Sequence, residues 1–368
     1  MRVKLEEVCK RIYAGGDVPK DRYSEVKTKK YPIPIYANAE KDNGLYGYTD
    51  KAREEELSIT VAARGTIGFT AIRREPFLPV VRLITVVPDT EKVSERYLYY
   101  VLKKCKPQSS GTSIPQLTVP DIKKNRLELY DISEQERIAD QLDKVSKVIE
   151  LRKQELEALD NLIKARFVEM FGDMITDHNG WKNVLLGEVC DVRDGTHDSP
   201  QYYSEGYPLV TSKNVTGGKI DFVDCSLICK EDYNKINQRS KVDYGDILMP
   251  MIGTVGNPVI VDIDEKFAIK NVALIKFRDN TVVINSFIKA LLESDYFDRA
   301  VISKVRGGTQ KFISLGDIRK LEIYLPPISM QNQFADFVHQ VDKSKVAVQK
   351  ALKETQLLFD SLMQQYFG

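Results

Sequence analysis

The chain has 368 residues, of which 42% are hydrophobic and 29% are charged, and its formal net charge is +1 at pH 7. These values are ordinary for a globular protein of two or three domains, and the near-zero charge gives no global field to attract an anionic partner. The most apolar stretch, 77–87, contains Pro79 and Arg82 and is shorter than the roughly 20 residues of a membrane span. Acidic Glu6 and Glu7 stand where a signal peptide needs its apolar region, so the sequence predicts a cytoplasmic protein with no membrane partner.

The first segment, residues 1–131, has the pattern of a mixed α/β domain. Residues 58–62 and 82–87 are rich in β-branched side chains and predict strands, and residues 97–103 predict a short helix. We therefore expect a first globular domain that ends at residue 131.

A long helix is predicted over residues 132–172. Ser133 fits an N-cap, with Glu136 three residues later in the capping-box pattern, and Gly172 suits the position after the last turn. A helix of about 39 residues extends roughly 58 Å at 1.5 Å per residue. This length exceeds that of an ordinary core helix.

The second segment, residues 173–327, repeats the pattern of the first. Its motif Gly253-Thr254-Val255-Gly256 echoes Gly65-Thr66-Ile67-Gly68, and both are interpreted as turns between strands. The second long helix is predicted over 328–368, because Pro326-Pro327 bars an earlier start. Internal repetition determines the architecture, so we interpret the chain as a duplicated protein.

The two predicted helices share a heptad pattern of apolar residues. Adding 196 to a position in the first helix gives the equivalent position in the second, and a seam sustained over this length is typical of a coiled coil. Polar residues interrupt the seam at Arg152 and Arg166 in the first helix and at Lys345 and Thr355 in the second. The predicted seam residues are Ile138, Leu142, Val145, Ile149, Leu156, Leu159, Ile163, Phe334, Val338, Val341, Val348, Leu352, Phe359 and Leu362.

If the two helices pair within one chain, they run antiparallel, because the second segment returns the chain from the end of the first helix. The predicted fold is therefore α+β, with two mixed α/β domains related by a pseudo-twofold axis and joined by an antiparallel coiled coil. The alternative is two separate amphipathic helices, each packed on its own domain. Two similar domains on a rigid spacer suit a target with two spaced parts, and double-stranded DNA is such a target.

Polar and basic residues of both segments are candidates for contacts with DNA, because Lys and Arg bind phosphates while Arg, Asn and Gln also bind base edges. Two loops that precede the helices combine glycine with hydroxyl and amide side chains, although ordinary turns have the same composition. For the scattered lysines a solvated surface is the simpler interpretation. The candidates are Lys27, Lys29, Lys30, Arg73, Arg74, Thr112, Ser113, Gln116, Lys213, Asn214, Arg239, Lys241, Arg306, Thr309, Gln310 and Lys311.

The sequence contains few motifs that are typical of catalytic sites. It has neither a GxxxxGK[ST] phosphate loop nor an HExxH pattern, and its five cysteines form no CxxC pair, so no metal or catalytic site is predicted. Cys9 and Cys190 occupy matching positions of the repeat, which favours small buried side chains over reactive thiols. A catalytic His197 with Asp194 or Asp198 remains an alternative.

The order of domain, helix, domain, helix resembles a type I restriction-modification specificity subunit over essentially the whole chain. The motifs that carry the resemblance are Ile132-Ser133-Glu134-Gln135-Glu136-Arg137-Ile138-Ala139, Phe167-Val168-Glu169-Met170-Phe171-Gly172, Asp246-Ile247-Leu248, Gly308-Thr309-Gln310-Lys311-Phe312-Ile313-Ser314 and Leu325-Pro326-Pro327-Ile328-Ser329-Met330-Gln331. Two positions depart from the family pattern: Tyr130-Asp131-Ile132 replaces prolines before the first helix, and Met330 replaces an acidic residue in the second.

The resemblance implies that each domain is a target-recognition domain that reads half of a bipartite, gapped DNA sequence. The paired helices would set the gap and help to dock two modification (methyltransferase) subunits and, in the full complex, the restriction (endonuclease-translocase) subunits. It further implies that this chain performs no catalysis and holds no cofactor, since the modification partner brings S-adenosylmethionine and methylates adenine. The alternatives are a coiled-coil scaffold that binds only protein and a freestanding DNA-modifying enzyme that uses His197.

Overall fold

The computed structural model describes residues 1–105, 116–174, 180–252, 255–278, 282–302 and 312–368. The chain divides into two compact units. Unit 1 consists of Met1–Lys153 and Lys350–Gly368, and unit 2 consists of Gln154–Gln349. Each unit therefore contains one globular segment together with parts of both long helices.

Unit 1 contains nine described strands and two complete α-helices, together with the start of one long helix and the end of the other. The strands are β1 (Arg2–Lys4), β2 (Cys9–Ala14), β3 (Ile33–Tyr36), β4 (Leu45–Thr49), β5 (Ser58–Val61), β6 (Thr70–Arg73), β7 (Leu78–Pro79), β8 (Ile84–Pro88) and β9 (Arg126–Glu128). The helices are α1 (Glu95–Lys103), α2 (Val119–Lys124) and α3 (Ile132–Phe171). The strands and the short helix predicted at 58–62, 82–87 and 97–103 correspond to β5, β8 and α1.

Unit 2 has a similar order of elements, and its last helix continues into unit 1. Its described strands are β10 (Lys182–Leu185), β11 (Cys190–Asp194), β12 (Tyr207–Val210), β13 (Val215–Thr216), β14 (Lys219–Ile220), β15 (Ser226–Ile228), β16 (Ile247–Pro250), β17 (Val259–Ile260), β18 (Ala268–Ile269), β19 (Val272–Phe277) and β20 (Glu322–Leu325). Its described helices are α4 (Leu186–Val189), α5 (Lys230–Ser240), α6 (Asn285–Leu292), α7 (Asp295–Ala300), α8 (Leu315–Arg319) and α9 (Ile328–Phe367).

The sheets of the two units have the same topology. The antiparallel four-stranded sheet has the order β2-β8-β5-β6 in unit 1 and β11-β19-β16-β17 in unit 2. The three-stranded sheets, β4-β3-β7 and β15-β12-β18, each combine one antiparallel and one parallel pair. The pairs β1-β9 and β10-β20 complete the repeat, and the hairpin β13-β14 occurs in unit 2. The duplication predicted from the sequence is therefore present in the strand order.

In each unit a glycine allows the backbone to pass close to a strand of the three-stranded sheet. A Cβ atom on Gly15 would lie 2.6 Å from the backbone of Pro79, and one on Gly195 would lie 2.2 Å from the backbone of Ile269. Both glycines follow the edge strand of the four-stranded sheet, where the chain passes the end of the three-stranded sheet. A side chain at either position would push the two sheets apart.

The ends of the long helices help to build the core of each unit. In unit 1, Ile138 and Leu142 near the start of α3 are buried, and Phe359 and Leu362 from the end of α9 pack against the same cluster. In unit 2, four phenylalanines meet with ring centroids 5.0–5.7 Å apart. They come from the end of α3, from α6 and from the start of α9: Phe167, Phe171, Phe287 and Phe334.

Each predicted seam residue is buried or half-buried, whereas most of the residues between them are exposed. Within unit 1, Tyr366 donates a hydrogen bond to Gln141, and Arg152 donates one to the carbonyl of Ala351. Within unit 2, Lys345 Nζ lies 2.6 Å from a carboxylate oxygen of Asp160. Phe167 and Phe334 supply a second contact in unit 2, and in each unit the residue numbers rise along α3 as they fall along α9. The helix segments inside each unit therefore run antiparallel.

The polar interruptions of the seam therefore have partners. Burial is the largest single effect and opposes the charge on Lys345, but the hydrogen bond to Asp160 and the attraction of nearby carboxylates together leave the pKa of the ammonium above its ordinary value. The Arg166 guanidinium lies 5.7 Å from the ring centroid of Phe337. In the described part of the chain, no helix is both long and apolar enough to span a membrane.

The capping prediction for α3 was wrong in its detail. The helix begins at Ile132, and the carboxylate of Asp131, rather than the Ser133 hydroxyl, accepts a hydrogen bond from the backbone amide of Glu134 at 2.9 Å. Glu136 instead pairs with Arg96 of α1, because its side chain points toward the globular segment. At the other end, Gly172 has a φ of 71° and its amide bonds to the Val168 carbonyl, as expected of a helix terminator.

Candidate nucleic-acid interface

The lysines predicted in unit 1 lie on its surface. Lys27, Lys29 and Lys30 are exposed in the irregular segment before β3, and Lys30 Nζ lies 5.1 Å from the ring centroid of Tyr31. Exposed lysine side chains can reach a phosphate without breaking contacts inside the protein, so contacts of these three residues with DNA remain a prediction.

The prediction that Arg73 contacts DNA is corrected, because its side chain lies in the interior of unit 1. It is 3% exposed and donates to the Thr60 hydroxyl at 3.1 Å and to the Asn43 carbonyl at 2.7 Å. The guanidinium also stacks 3.6 Å from the ring centroid of Tyr36, and burial lowers its pKa. A side chain held in this way supports the sheet and is not free to contact DNA.

Two other candidates in unit 1 stay at the surface. Arg74 is exposed and forms an ion pair of 3.1 Å with Glu95, the first residue of α1. Gln116 accepts a hydrogen bond of 2.8 Å from Arg64 through its side-chain oxygen. The remaining candidates from the two loops before the helices lie outside the described residues: Thr112, Ser113, Arg306, Thr309, Gln310 and Lys311.

The prediction that Asn214 contacts DNA is also corrected. Asn214 is 3% exposed, and its side chain accepts from the amide and hydroxyl of Thr211 and donates to the Asp221 carbonyl. These three bonds brace a single turn of helix, so this amide is not available to a base edge. The neighbouring Lys213 and the more distant Lys241 are exposed, and Lys241 pairs with Asp243 at 2.5 Å.

Arg239 and His197 meet around one carboxylate at the end of β11, and Asn271 contacts the far side of the His197 ring. Asp194 has a side chain only 10% exposed, and it accepts from Arg239 and from His197, whose Nε2 is 2.7 Å away. The other ring nitrogen of His197 is 2.8 Å from the side-chain oxygen of Asn271, a residue with a φ of 55°. The imidazole is itself exposed, with both ring nitrogens engaged by the protein. Asp198 is not its partner among these contacts.

A groove of about 640 Å³, here called groove A, lies along β2 in unit 1. Its basic lining residues are Lys10, Arg11, Arg53 and Lys123, and its acidic ones are Glu6 and Glu54. Glu54 is 1% exposed and accepts from Arg11, from the Tyr13 hydroxyl and from two backbone amides. Burial raises the pKa of Tyr13 to about 12, so this hydroxyl remains a donor.

Unit 2 has a groove of about 600 Å³ along β11, here called groove B. Three arginines line it: Arg193, Arg239 and Arg319. Arg193 pairs with Asp191 at 2.6 Å, which lowers the pKa of that carboxyl, whereas Arg319 donates twice to the Val192 carbonyl, at 3.1 and 2.6 Å. Since that carbonyl is neutral, the charge of Arg319 is not cancelled by this contact.

The sequence prediction missed Lys123 and Arg319, although a signal existed. These residues are 196 positions apart, the same offset that relates the helix seams, and both are basic. Each follows a capping box at equivalent positions, Thr118 with Asp121 and Ser314 with Asp317. Applying the repeat offset outside the helices would have found the pair.

The described residues hold no group of three or more His, Cys, Asp or Glu side chains arranged to bind a metal ion. Cys190 is buried and Cys9 is half-buried. Burial raises the pKa of both thiols to about 12, as it does for Cys105. Matching sites of the repeat thus hold two thiols whose protonated form is favoured by burial.

Two units with the same sheets, each followed by a long helix, define the chain as a protein with a duplicated domain-and-helix architecture. A family described as the type I restriction modification DNA specificity domain matches residues 1–161 and again residues 178–356. The chain belongs to this family. The two matches agree with the duplication found in the strand order.

Individual proteins show the same relationship. A Mycoplasma pneumoniae protein named as a type I specificity subunit is 34% identical over 165 residues, which cover 42% of this chain and 45% of that protein. The chain thus matches about half the length of this relative. The specificity subunit of the type I restriction enzyme MjaIX of Methanocaldococcus jannaschii is 24% identical over 95% of this chain and 86% of its own length.

The fold is also that of a solved structure. The S subunit of the type I restriction-modification system of M. genitalium has a TM-score of 0.56 with 16% identity. The comparison covers 100% of this chain and 96% of that one. At this identity the likeness concerns the fold alone.

Proposed function

We propose that the chain is the DNA-specificity subunit of a type I restriction-modification complex, in which each unit reads one half of a bipartite, gapped target. The observation that carries the proposal is the duplication: one DNA-specificity family domain is matched twice, and the same three sheets occur in both units. Two copies of a DNA-recognition domain are suited to a DNA target with two parts. The reaction itself, transfer of a methyl group from S-adenosylmethionine to adenine, belongs to the modification subunits in this proposal.

The gap between the two half-sites would be set by α3 and α9. Each helix has 40 residues, and the antiparallel contacts inside each unit support a coiled coil over the predicted seam. At 1.5 Å per residue such a helix extends about 60 Å, and a change of about two residues in helix length corresponds to about one base pair at 3.4 Å.

The same helices also supply a surface for partner subunits. Apolar side chains away from the seam are exposed on both: Val148, Leu151 and Leu357 in unit 1, and Leu162, Val168 and Val346 in unit 2. Such side chains can be covered by a helix of a partner protein. We assign this surface to helices of two methyltransferase subunits, since the chain in this proposal acts only with them.

Mapping of methylated adenine in genomic DNA tests the proposal. Cells that lack this chain but retain the modification subunits should lose one gapped, two-part motif, and a plasmid copy of the chain should restore it. An unchanged methylome in cells shown to express both proteins would contradict the proposal. In that case the absence of DNA binding by the purified complex would favour a protein scaffold.

A further inference from the structure

Grooves A and B occupy the same place in the two repeats. Groove A is bounded by β2 and α2, and groove B by β11 and α8. The strands β2 and β11 are the equivalent edge strands of the four-stranded sheets, and in each unit the short helix packs against that strand. The equivalent helix positions that line the grooves are Lys123 and Arg319.

The charges in both grooves follow one plan. A carboxylate that is nearly or fully buried, Glu54 in groove A and Asp194 in groove B, holds an arginine at the rim, Arg11 and Arg239 respectively. A second cation comes from the short helix, and no described carboxylate lies within ion-pair distance of Lys123 or Arg319. Each groove therefore has an excess of positive charge, which suits an anionic ligand.

The repetition itself limits what the ligand is. The two halves of a bipartite target differ in base sequence, so a feature present in both units serves something that both halves share. The sugar–phosphate backbone is common to every DNA duplex, and phosphate contacts position a protein without carrying sequence information. Base reading should instead depend on positions where the repeats differ.

One such difference lies beside the grooves. Gly16 and Thr196 make equivalent bridges to the three-stranded sheet, and the next residues are Asp17 in unit 1 and His197 in unit 2. Both grooves thus have a cation at the equivalent position of the short helix, Lys123 or Arg319, while the adjacent exposed side chains change. This pattern agrees with a constant backbone contact next to a variable surface.

We propose that grooves A and B each bind a backbone phosphate of double-stranded DNA, with Lys123 and Arg319 as the equivalent phosphate-binding residues. This inference rests on the proposed DNA-specificity function and adds the sites that position each unit on the duplex. Arg319 is oriented by its two hydrogen bonds to the Val192 carbonyl, which leave other guanidinium donors for a phosphate oxygen.

The test compares two double variants of the full chain in complex with its modification subunits. One variant combines Lys123→Gln with Arg319→Gln, and the matched control combines Lys124→Gln with Lys320→Gln. The control removes the same charge from the adjacent, exposed residues, which do not line the grooves. Binding to a duplex that contains the methylated motif and to a random duplex is measured over a series of salt concentrations.

We expect the groove variant to bind both duplexes more weakly by the same factor. The slope of log K against log salt should fall by about 0.9 for each phosphate that is no longer bound, hence by about 1.8 for the double variant and by half of that for each single variant. The methylated motif should stay the same, and Lys123→Arg with Arg319→Lys should retain most of the slope. The melting temperature of each variant distinguishes weaker DNA binding from a failure to fold.

Other results would overturn the inference. A slope equal to that of the control excludes phosphate binding by these residues, and a loss confined to the motif-containing duplex indicates base reading instead. Loss of methyltransferase binding with an unchanged slope would assign the grooves to a protein partner. If the unaltered complex shows no salt-dependent DNA binding, the proposed function fails, a result distinct from any difference between variants.

Discussion

Gln135 and Gln331, 196 positions apart, make the same three hydrogen bonds in the two units. Each amide oxygen accepts from a backbone amide of the preceding domain, that of Ser94 at 2.8 Å or Ile284 at 3.0 Å. Each amide nitrogen donates to two backbone carbonyls, one in the preceding domain and one in the residues just before the long helix. Both side chains are 0% exposed, so each glutamine fastens the start of a long helix to its globular segment.

We therefore expect Gln331→Met to destabilise unit 2 by about 2–4 kcal/mol, because three bonds are removed and buried backbone groups are left without partners. Unfolding in denaturant is followed by the fluorescence of Trp181, the single tryptophan, which packs against Phe171 at 6.1 Å. The matched control is Gln333→Met, an exposed position in the same helix. Equal stability of the two variants would contradict the structural role of Gln331.

Arg73 and Arg74 allow a comparison between adjacent residues with the same charge. Arg73→Met should lower the free energy of unfolding by about 1–3 kcal/mol, because its bonds to Thr60 and Asn43 inside the sheet are removed. Arg74→Met should change it by less than about 0.5 kcal/mol, since this side chain is exposed. Thermal unfolding of both variants measures the difference. A larger effect at Arg74 would contradict the assignment.

The alternative that His197 is catalytic makes a distinct prediction. Both ring nitrogens of His197 already contact the protein, and its partner Asp194 also accepts from Arg239, so this carboxylate is shared rather than dedicated to the histidine. We therefore expect the reconstituted complex with His197→Ala to continue to methylate adenine. The measurement is incorporation of labelled methyl groups from S-adenosylmethionine into DNA. Complete loss, with DNA binding retained, would favour the catalytic alternative.

The thiols give a prediction that depends on pH. Burial raises the pKa of Cys9, Cys105 and Cys190 to about 12, above the ordinary value of 9.0. A raised pKa favours the protonated form in the folded protein, so this contribution to stability is present below pH 9 and is lost as the pH rises toward 12. At pH 8.5 these thiols should resist alkylation by iodoacetamide until denaturant is added, as mass spectrometry of the peptides can show. Rapid labelling of the native protein would contradict this.

The sequence predicted the periodic parts of this protein better than its site. Heptads are a regular signal, and the same offset of 196 relates the two seams and the two glutamines. Among the candidate DNA-binding residues only Ser113 and Thr309 are related by this offset. Arg73 and Asn214 have the composition of surface residues, and their burial depends on partners distant in sequence, such as Asn43 and Asp221. Tertiary packing decides such cases, and residue type alone does not reveal it.

The proposed spacing function of the helices is tested by changing their length. Seven residues inserted after Lys153 and seven after Gln349, the limits of the two units, preserve the heptad register of both helices. Seven residues add about 10.5 Å, which corresponds to about three base pairs at 3.4 Å. Each added base pair also turns the duplex, since about 10.5 base pairs make one turn. This rotation of one half-site relative to the other opposes a gap that is wider by the full three base pairs. We therefore expect the recognised gap to widen by about one to three base pairs.

The control for this experiment inserts seven residues in α3 alone. Only one helix is then lengthened, so seam residues such as Leu156 and Leu159 beyond the insertion no longer match those of α9. This variant should lose methylation at every gap length, because the pairing that positions the two units is broken. Sequencing that detects methylated adenine measures both outcomes on the same genomic DNA. Methylation by the double-insertion variant at the original gap would show that α3 and α9 do not set the spacing.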